Sequence, residues 1–353
     1  MSIVIVAITR KGAELARHLA AVLPDGSVHL PEKCRADDGC HYFSRPLAEE
    51  LPDLFGRAER LVCVMATGIV VRLLAPYLRG KAFDPGVVVL DEAGRFAISL
   101  LSGHLGGANR LAEEVAAHLG GQAVVTTATD VNNLPAWDQV ARDEGLDVEP
   151  VAHLRTLNRL LLEGETIALV DRQGLIADQF VGVPGVVRYR SYADAMQSDA
   201  PGRVFVTHRY LPHMENRTGM LAIRPKDLVL GIGCNRGTPA DEIESAVKDA
   251  LQQAFLAFAS VGTVATIDAK QDEAGLSAFA RKHKLPVLYF SAEELNGVDG
   301  PTPPSEHALK AVGAKGVCEP AAILAAGGGS LLIRKQKIGN VALAVAEFRM
   351  TSK

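Results

Sequence analysis

The chain has 353 residues, enough for two or three domains, and its 48% hydrophobic and 22% charged residues allow sizeable packed cores and exclude wholesale disorder. A formal net charge of −4 argues against a general nucleic-acid or membrane-surface binder, although local basic clusters can still hold a small anion. The five cysteines (34, 40, 63, 234 and 318) form no CxxC pair, which reads as reduced thiols. No run approaches the roughly 18–20 apolar residues of a membrane span. The opening MSIVIVAIT lacks the basic n-region of a signal peptide, so the expected location is the cytoplasm.

Short apolar, β-rich runs alternate with helical patterns, which predicts an α/β protein with mainly parallel sheets. Ser2–Ile8 reads as a buried strand and Gly12–Leu23 as a helix with Leu15, Leu19 and Leu23 four apart. Leu61–Ala66 is the next strand, and Thr67 is placed to cap a helix running to Leu78. Val87–Leu90 and Arg95–Leu100 are predicted strands joined by a turn through Asp91, Glu92, Ala93 and Gly94. A glycine cluster follows, then a helix with Leu111, Val115 and Leu119 on one face, a strand over Gln122–Thr126 and a helix over Asn133–Arg142. From about Gly145 the pattern loosens, with a helix at His153–Leu162 and strands near Thr166–Val170, Val186–Tyr189 and Val204–Thr207. The α/β rhythm restarts at Leu228, where Thr238 is the expected N-cap and Pro239 the first helical residue. The expected organisation is two α/β domains, 1–143 and 225–353, flanking a smaller middle α/β unit over 144–224, with Arg224-Pro225-Lys226 as linker.

Three stretches of the first domain carry chemistry. In SGHLGGANR, Gly103, Gly106 and Gly107 can take positive φ and admit a ligand to the backbone, the next helix start favours an anion, and His104 stands between the glycines. A plain strand-to-helix turn explains the glycines equally well. In MATGIVVRLLAPYLRGK, Thr67 and Gly68 open a helix while Arg72, Arg79 and Lys81 supply charge, or form an ordinary solvated face. In TTATDVNN, Thr126, Thr127, Thr129 and Asp130 lie just past a strand; Asp130 either orients a histidine or caps the next helix. GIGCNRGTPADE spaces its glycines wrongly for a dinucleotide fingerprint, and Cys34, Cys40 and His41 lack a second ligand pair for a metal.

Together, MATGIVVRLLAPYL, KAFDPGVVVLDEAGRFAISLLSGHLGGANRLAEEVA and VVTTATD resemble the N-terminal domain of the CbiG family of cobalamin-biosynthesis proteins, the cobalt-precorrin-5A hydrolases. LVLGIGCNRGTPADEI and VCEPAAILAAG are similar to that family's C-terminal domain, which is related to the free-standing CobE protein. The resemblance implies a cobalt-corrinoid substrate in which an acetate side chain forms a δ-lactone to the departing meso carbon. Water opens the lactone, and a two-carbon fragment leaves as acetaldehyde to give cobalt-precorrin-5B. Cobalt arrives inside the substrate, so neither a cofactor nor a protein metal site is expected.

Chemistry assigns expected roles on that reading. Imidazole, with an ordinary pKa of about 6.5, is a natural base at neutral pH. His104 is therefore the expected base, with Asp130 as its orienter and Asp91 and Glu92 as the fallback carboxylates. The Ser102 hydroxyl and the backbone at Gly106 and Gly107 are the expected oxyanion donors. Arg72, Lys81 and Arg95 are expected to clamp the carboxylates of the corrinoid rim, with Thr67, Gly68, Gly103, Asn109 and Thr127 completing the substrate-binding set. Expected partners are the corrinoid, other cobalamin-pathway enzymes and a second copy of the chain as a homodimer. The alternatives are a non-catalytic corrinoid carrier and a nucleotide-dependent enzyme using the glycine loops.

Overall fold

The computed structural model describes residues 3–23, 25–80, 83–211, 214–298 and 302–348. The chain forms two compact units, the first made of Met1–Arg142, Leu154–Thr166 and Gln179–Val186. Its elements begin with β1 (Ile3–Ala7), α1 (Arg10–Val22), β2 (Gly26–Pro31), β3 (His41–Phe43), α2 (Leu47–Arg57), β4 (Arg60–Val64) and α3 (Thr67–Leu74). They continue with β5 (Gly86–Leu90), β6 (Phe96–Leu101), α4 (Ala108–Leu119), β7 (Gln122–Val124), α5 (Ala128–Val131) and α6 (Trp137–Asp143). The strands form one seven-stranded sheet in the order β3-β2-β1-β4-β5-β6-β7. Every neighbouring pair is parallel except β5 and β6.

The continuous apolar runs are central strands covered on both faces. Ile3, Ile5, Val62, Val64, Val88 and Leu90 pack with residues of α1 and α4, whereas Val4, Val6, Leu61, Cys63, Val87 and Val89 pack with α2 and α3. Thr9 caps α1 by accepting from the Gly12 N–H at 3.0 Å. Thr67 does not cap α3; it is the first helical residue, after Ala66. The helix stops at Leu74 rather than Leu78, followed by a 3₁₀ turn over Ala75–Tyr77, because Pro76 has no N–H to continue the ladder. The turn after β5 forms as expected: the Asp91 carboxylate accepts from the Ala93 and Phe96 N–H groups, and Gly94 takes φ +66°.

The remaining elements are β8 (Asp147–Glu149), α7 (Leu154–Leu162), β9 (Ile167–Asp171), β10 (Val186–Arg188), α8 (Tyr192–Gln197), β11 (Gly202–Val206), β12 (Met220–Arg224) and β13 (Leu228–Cys234). They end with α9 (Ala240–Gln253), β14 (Val261–Ile267), α10 (Ala274–Lys282), β15 (Val287–Phe290), α11 (Ala292–Asn296), α12 (Glu306–Val312), α13 (Cys318–Ala325), β16 (Leu331–Ile338) and β17 (Val341–Glu347). Helix α7 belongs to the first compact unit. One five-stranded sheet runs β10-β9-β11-β12-β8 and another β15-β14-β13-β17-β16. Strand β13 is parallel to β14 and antiparallel to β17. Pro239, not Thr238, precedes α9, and the Thr238 hydroxyl donates to the Asn235 carbonyl at 2.7 Å. A Cβ on Gly231 would sit 1.8 Å from the Cys318 carbonyl, so this glycine of the GIG motif admits α13 against β13.

Arg224, which the sequence places at a linker, is the fully buried end of β12. Its guanidinium donates to Glu149 at 2.7 Å, to the Thr207 carbonyl at 2.8 Å and to the Arg209 carbonyl at 2.6 Å. Arg224→Ala should therefore lower stability by about 2–3 kcal/mol, since it strands two carbonyls and removes a buried guanidinium from its pair with the part-exposed Glu149. Chemical denaturation measures this directly, and an unchanged midpoint would remove Arg224 as an anchor.

Candidate active site

The loop between β6 and α4 brings the backbone back on itself. Ser102 adopts a left-handed φ of +53° and Gly107, the residue before α4, φ +75°. Three N–H groups at the helix start are satisfied within the loop: Gly107 donates to the His104 carbonyl at 2.9 Å, Ala108 to Ser102 at 3.3 Å and Asn109 to Gly103 at 3.1 Å. His104 is thereby projected from the middle of a hydrogen-bonded turn. Arg142 braces it from below by donating to the His104 carbonyl at 2.7 Å.

The His104 ring lies between a carboxylate and a hydroxyl. Nδ1 is 3.4 Å from Asp138 Oδ1 and Nε2 is 3.3 Å from Thr129 Oγ1. Asp138, with only 2% of its side chain exposed, also accepts from Asn158 Nδ2 at 3.0 Å. The Asn158 carbonyl oxygen in turn accepts from the Trp137 N–H at 3.2 Å. Trp137 is fully buried and stacks on Phe180 with ring centroids 3.9 Å apart. The chain's single tryptophan thus fixes the start of α6, and with it the carboxylate one residue on.

This row of side chains lies on a cleft of about 440 Å³ within the first unit, lined by Ser102, Gly103, His104, Leu105, Thr127, Ala128, Thr129, Asp138, Arg155, Asn158, Arg159 and Leu162. The four α7 residues fall at i, i+3, i+4 and i+7, so they share one helix face, while Leu154, Leu157, Leu160 and Leu161 are buried. Arg159 pairs with Glu163, whereas Arg155 makes no ion pair among the described residues and is exposed. Among the described residues the cleft therefore offers apolar walls, a cation without an ion pair and a histidine with a protein group at each ring nitrogen.

Only part of the expected set gathers here. His104, Ser102, Gly103 and Thr127 line the cleft. Thr67, Gly68, Arg72 and Arg95 do not, and the reason is topological. Because β6 is antiparallel to β5, Leu101 pairs with Val87 near the start of β5, while Ala97 pairs with Leu90 at its end. Thr67 and Gly68 follow the C-terminal end of β4, and Arg95 precedes β6, so they occupy the edge of the sheet opposite the glycine loop. The two edges are separated by the five residues of β5, roughly 16 Å at about 3.3 Å per residue. Arg72 donates to the Gly68 carbonyl of its own helix at 2.9 Å. Asp91 is engaged by its turn and Glu92 by the Thr9 hydroxyl, on that same far edge. Lys81 and the Asp130 side chain lie outside the described residues; the Asp130 backbone belongs to α5.

The glycines answer to packing rather than to a ligand. A Cβ on Gly103 would come within 2.5 Å of Asn109 Oδ1, one on Gly106 within 2.6 Å of the Gly86 nitrogen, and one on Gly107 within 2.1 Å of both terminal nitrogens of Arg142. The Gly107 N–H, engaged by His104, is not an available oxyanion donor. Asn109 is buried, accepts from the Ser99 hydroxyl at 2.7 Å and donates to Thr127 Oγ1 at 3.2 Å, tying β6 to the segment after β7 instead of facing substrate. Asp138, Asn158 and Arg155 were absent from the sequence-derived set. The one local signal was an acidic residue beside a lone tryptophan, and the partner helix comes from the poorly patterned stretch.

All five cysteines are free. Burial raises the Cys63 and Cys234 thiols and lifts Cys318 to about 11, which suits packing and not nucleophilic work. Cys34, Cys40 and His41 form no ligand group; among the described residues the metal-capable cluster is His208, Asp227 and Glu347. There His208 Nδ1 stands 2.9 Å from Asp227 Oδ2 and 3.8 Å from Glu347, an ion-pair geometry outside the cleft lining. No helix among the described residues is long and apolar enough to cross a membrane.

A carboxylate, an imidazole and a hydroxyl in sequence on an open α/β cleft are a set of groups that can carry acid–base chemistry, the class of site this geometry offers. The family can be stated more narrowly. Models described as Cobalamin synthesis G N-terminal, Cobalamin biosynthesis central region and Cobalamin synthesis G C-terminus match residues 49–130, 135–225 and 228–346. The cobalt-precorrin-5A hydrolase of Priestia megaterium is 37% identical over 97% of this chain and 94% of its own length. That of Salmonella typhimurium is 32% identical over 92% and 91%. Protein CobE of a Sinorhizobium species is 36% identical over 30% of this chain and 70% of its own. The chain belongs to the CbiG family of cobalamin biosynthesis.

Proposed function

We propose that the protein hydrolyses the δ-lactone of cobalt-precorrin-5A and releases acetaldehyde, giving cobalt-precorrin-5B. The observation that carries this reading is His104 held between Asp138 and Thr129 on the cleft, in a chain with full-length relatives of that name. With Nδ1–H directed to Asp138, Nε2 keeps the lone pair a base needs. Addition to the lactone carbonyl makes a tetrahedral oxyanion, for which the Ser102 hydroxyl is the donor on the cleft wall, while the Arg155 guanidinium is placed to hold a carboxylate of the corrinoid rim. Collapse breaks the ring C–O bond and leaves a hydroxyl on the departing carbon. That hydroxyl loses its proton as the carbon–carbon bond breaks, the fragment leaves as acetaldehyde, and the macrocycle carbon takes up a proton. No external oxidant or reductant enters. Cobalt travels as part of the substrate, and the expected setting is the cytoplasm.

Incubating the protein with cobalt-precorrin-5A should release one acetaldehyde per corrinoid consumed. Pigment binding with no acetaldehyde would instead make the protein a corrinoid carrier. Among the described residues Arg155 is the cleft cation without an ion pair, so Arg155→Ala should raise KM by roughly tenfold, about 1.4 kcal/mol, with little change in kcat. The increment should shrink in high salt. A KM equal to wild type would leave Arg155 as ordinary surface.

A further inference from the structure

We propose that the Thr129 hydroxyl, and not a water molecule, attacks the lactone, so that turnover passes through an acyl-threonine ester. The proposal rests on the hydrolytic reading above and specifies its nucleophile. Both ring nitrogens of His104 already face protein groups, Nδ1 the Asp138 carboxylate and Nε2 the Thr129 hydroxyl. The oxygen whose proton Nε2 is placed to accept is Thr129 Oγ1, and Thr129 is among the residues lining the cleft, with 3% of its surface exposed. Hydroxyl, imidazole and carboxylate in this order form the arrangement that activates an alcohol, and spacings of 3.3 and 3.4 Å suit a site without substrate. Thr129 is held at the start of the short α5, where its carbonyl accepts from the Leu134 N–H at 2.9 Å.

The atoms balance. Thr129 Oγ1 bonds to the lactone carbonyl carbon as its proton passes to His104 Nε2. The tetrahedral adduct collapses, the ring C–O bond breaks, and the leaving oxygen takes that proton back from Nε2. The freed alcohol loses its proton as the carbon–carbon bond breaks, the fragment leaves as acetaldehyde, and the macrocycle carbon keeps the electron pair and takes up a proton, leaving the corrinoid acetate esterified to Thr129. Water then attacks the ester with its proton moving to Nε2, and the threonine oxygen leaves carrying it. Nothing is oxidised or reduced.

Wild type, Thr129→Ala, Thr129→Ser and His104→Asn, each as the full chain, are compared in single turnovers of cobalt-precorrin-5A with acid quenching, intact-protein mass and hydroxylamine partitioning. The expected result is a transient covalent corrinoid on the Thr129 peptide, and a corrinoid hydroxamate that grows with hydroxylamine while acetaldehyde release is unchanged. Thr129→Ser should keep the adduct and turnover within about tenfold, and Thr129→Ala should lose the adduct and roughly 10²–10³ of the rate. Thr129→Ala turning over near wild type, or wild type giving neither adduct nor enzyme-dependent hydroxamate, overturns the nucleophile. With His104→Asn inactive, such a result returns attack to water and leaves the hydrolytic reading standing. Wild type releasing no acetaldehyde at all would remove both.

Discussion

His104→Asn should lower acetaldehyde release by roughly 10²–10⁴, the usual worth of a positioned acid–base group. Asparagine keeps a polar side chain of similar reach on a loop whose hydrogen bonds are made by backbone atoms and Arg142, so the fold and pigment binding should survive. The loss should appear in kcat, because the proposed role of the ring is on the reacting atoms and not on the corrinoid rim. Only neutral imidazole accepts a proton, so the wild-type rate should fall on the acid side as His104 takes one up. The variant should lose that acid limb and keep a small, nearly pH-independent rate. Near wild-type release by His104→Asn would take His104 out of the mechanism. Asp91 and Glu92 could not then replace it, since both are engaged on the opposite edge of the sheet.

That edge is where reading from sequence reached its limit. Periodicity located β1, α1, β4, α3, β5, β6 and α4 within a few residues, because the central strands are apolar on both faces and α1 and α4 bury one stripe each, but it missed β2, β3, α2 and the short α5. The turn between β5 and β6 was legible from Asp91 and Gly94, and so was its direct consequence, an antiparallel pair. A single reversed strand moves every residue after it to the other end of the sheet. The glycine loop and the segment after β7 therefore meet each other, since β7 runs parallel to β6, but neither meets Thr67, Arg72 or Arg95. Local pattern says where a strand lies and is silent on what faces its end. Arg155 and Asn158 come from a helix about fifty residues beyond His104, an order-of-magnitude separation at which only tertiary packing decides contact. The glycines were legible as a tight turn, but not the reason for them: the atoms of Asn109, Gly86 and Arg142 that fill the space a side chain would need.

Asp138→Asn should cost nearly as much as losing the histidine, roughly 10²–10⁴ in kcat, although Asp138 touches the ring and not the substrate. In the proposed mechanism the carboxylate holds Nδ1–H and so keeps the lone pair on Nε2, and it stabilises the imidazolium formed when the proton arrives. An asparagine amide can present its own N–H to Nδ1 and lock the opposite tautomer, with Nε2 protonated and unable to accept from Thr129. Asn158 and the buried, Phe180-stacked Trp137 hold position 138 in place, so the variant should fold with unchanged KM. The pH profile separates this positioning role from a merely structural one. Without the negative charge the imidazolium is less stable, and the acid limb of the residual rate should move to lower pH. Asp138→Glu should restore part of the rate and return the limb toward wild type, which a packing defect would not do. Asp130→Asn should cost at least an order of magnitude less, since Asp138 already stands beside Nδ1. A larger loss in Asp130→Asn than in Asp138→Asn would transfer the orienting role to α5 and break the chain of contacts from Trp137 to His104.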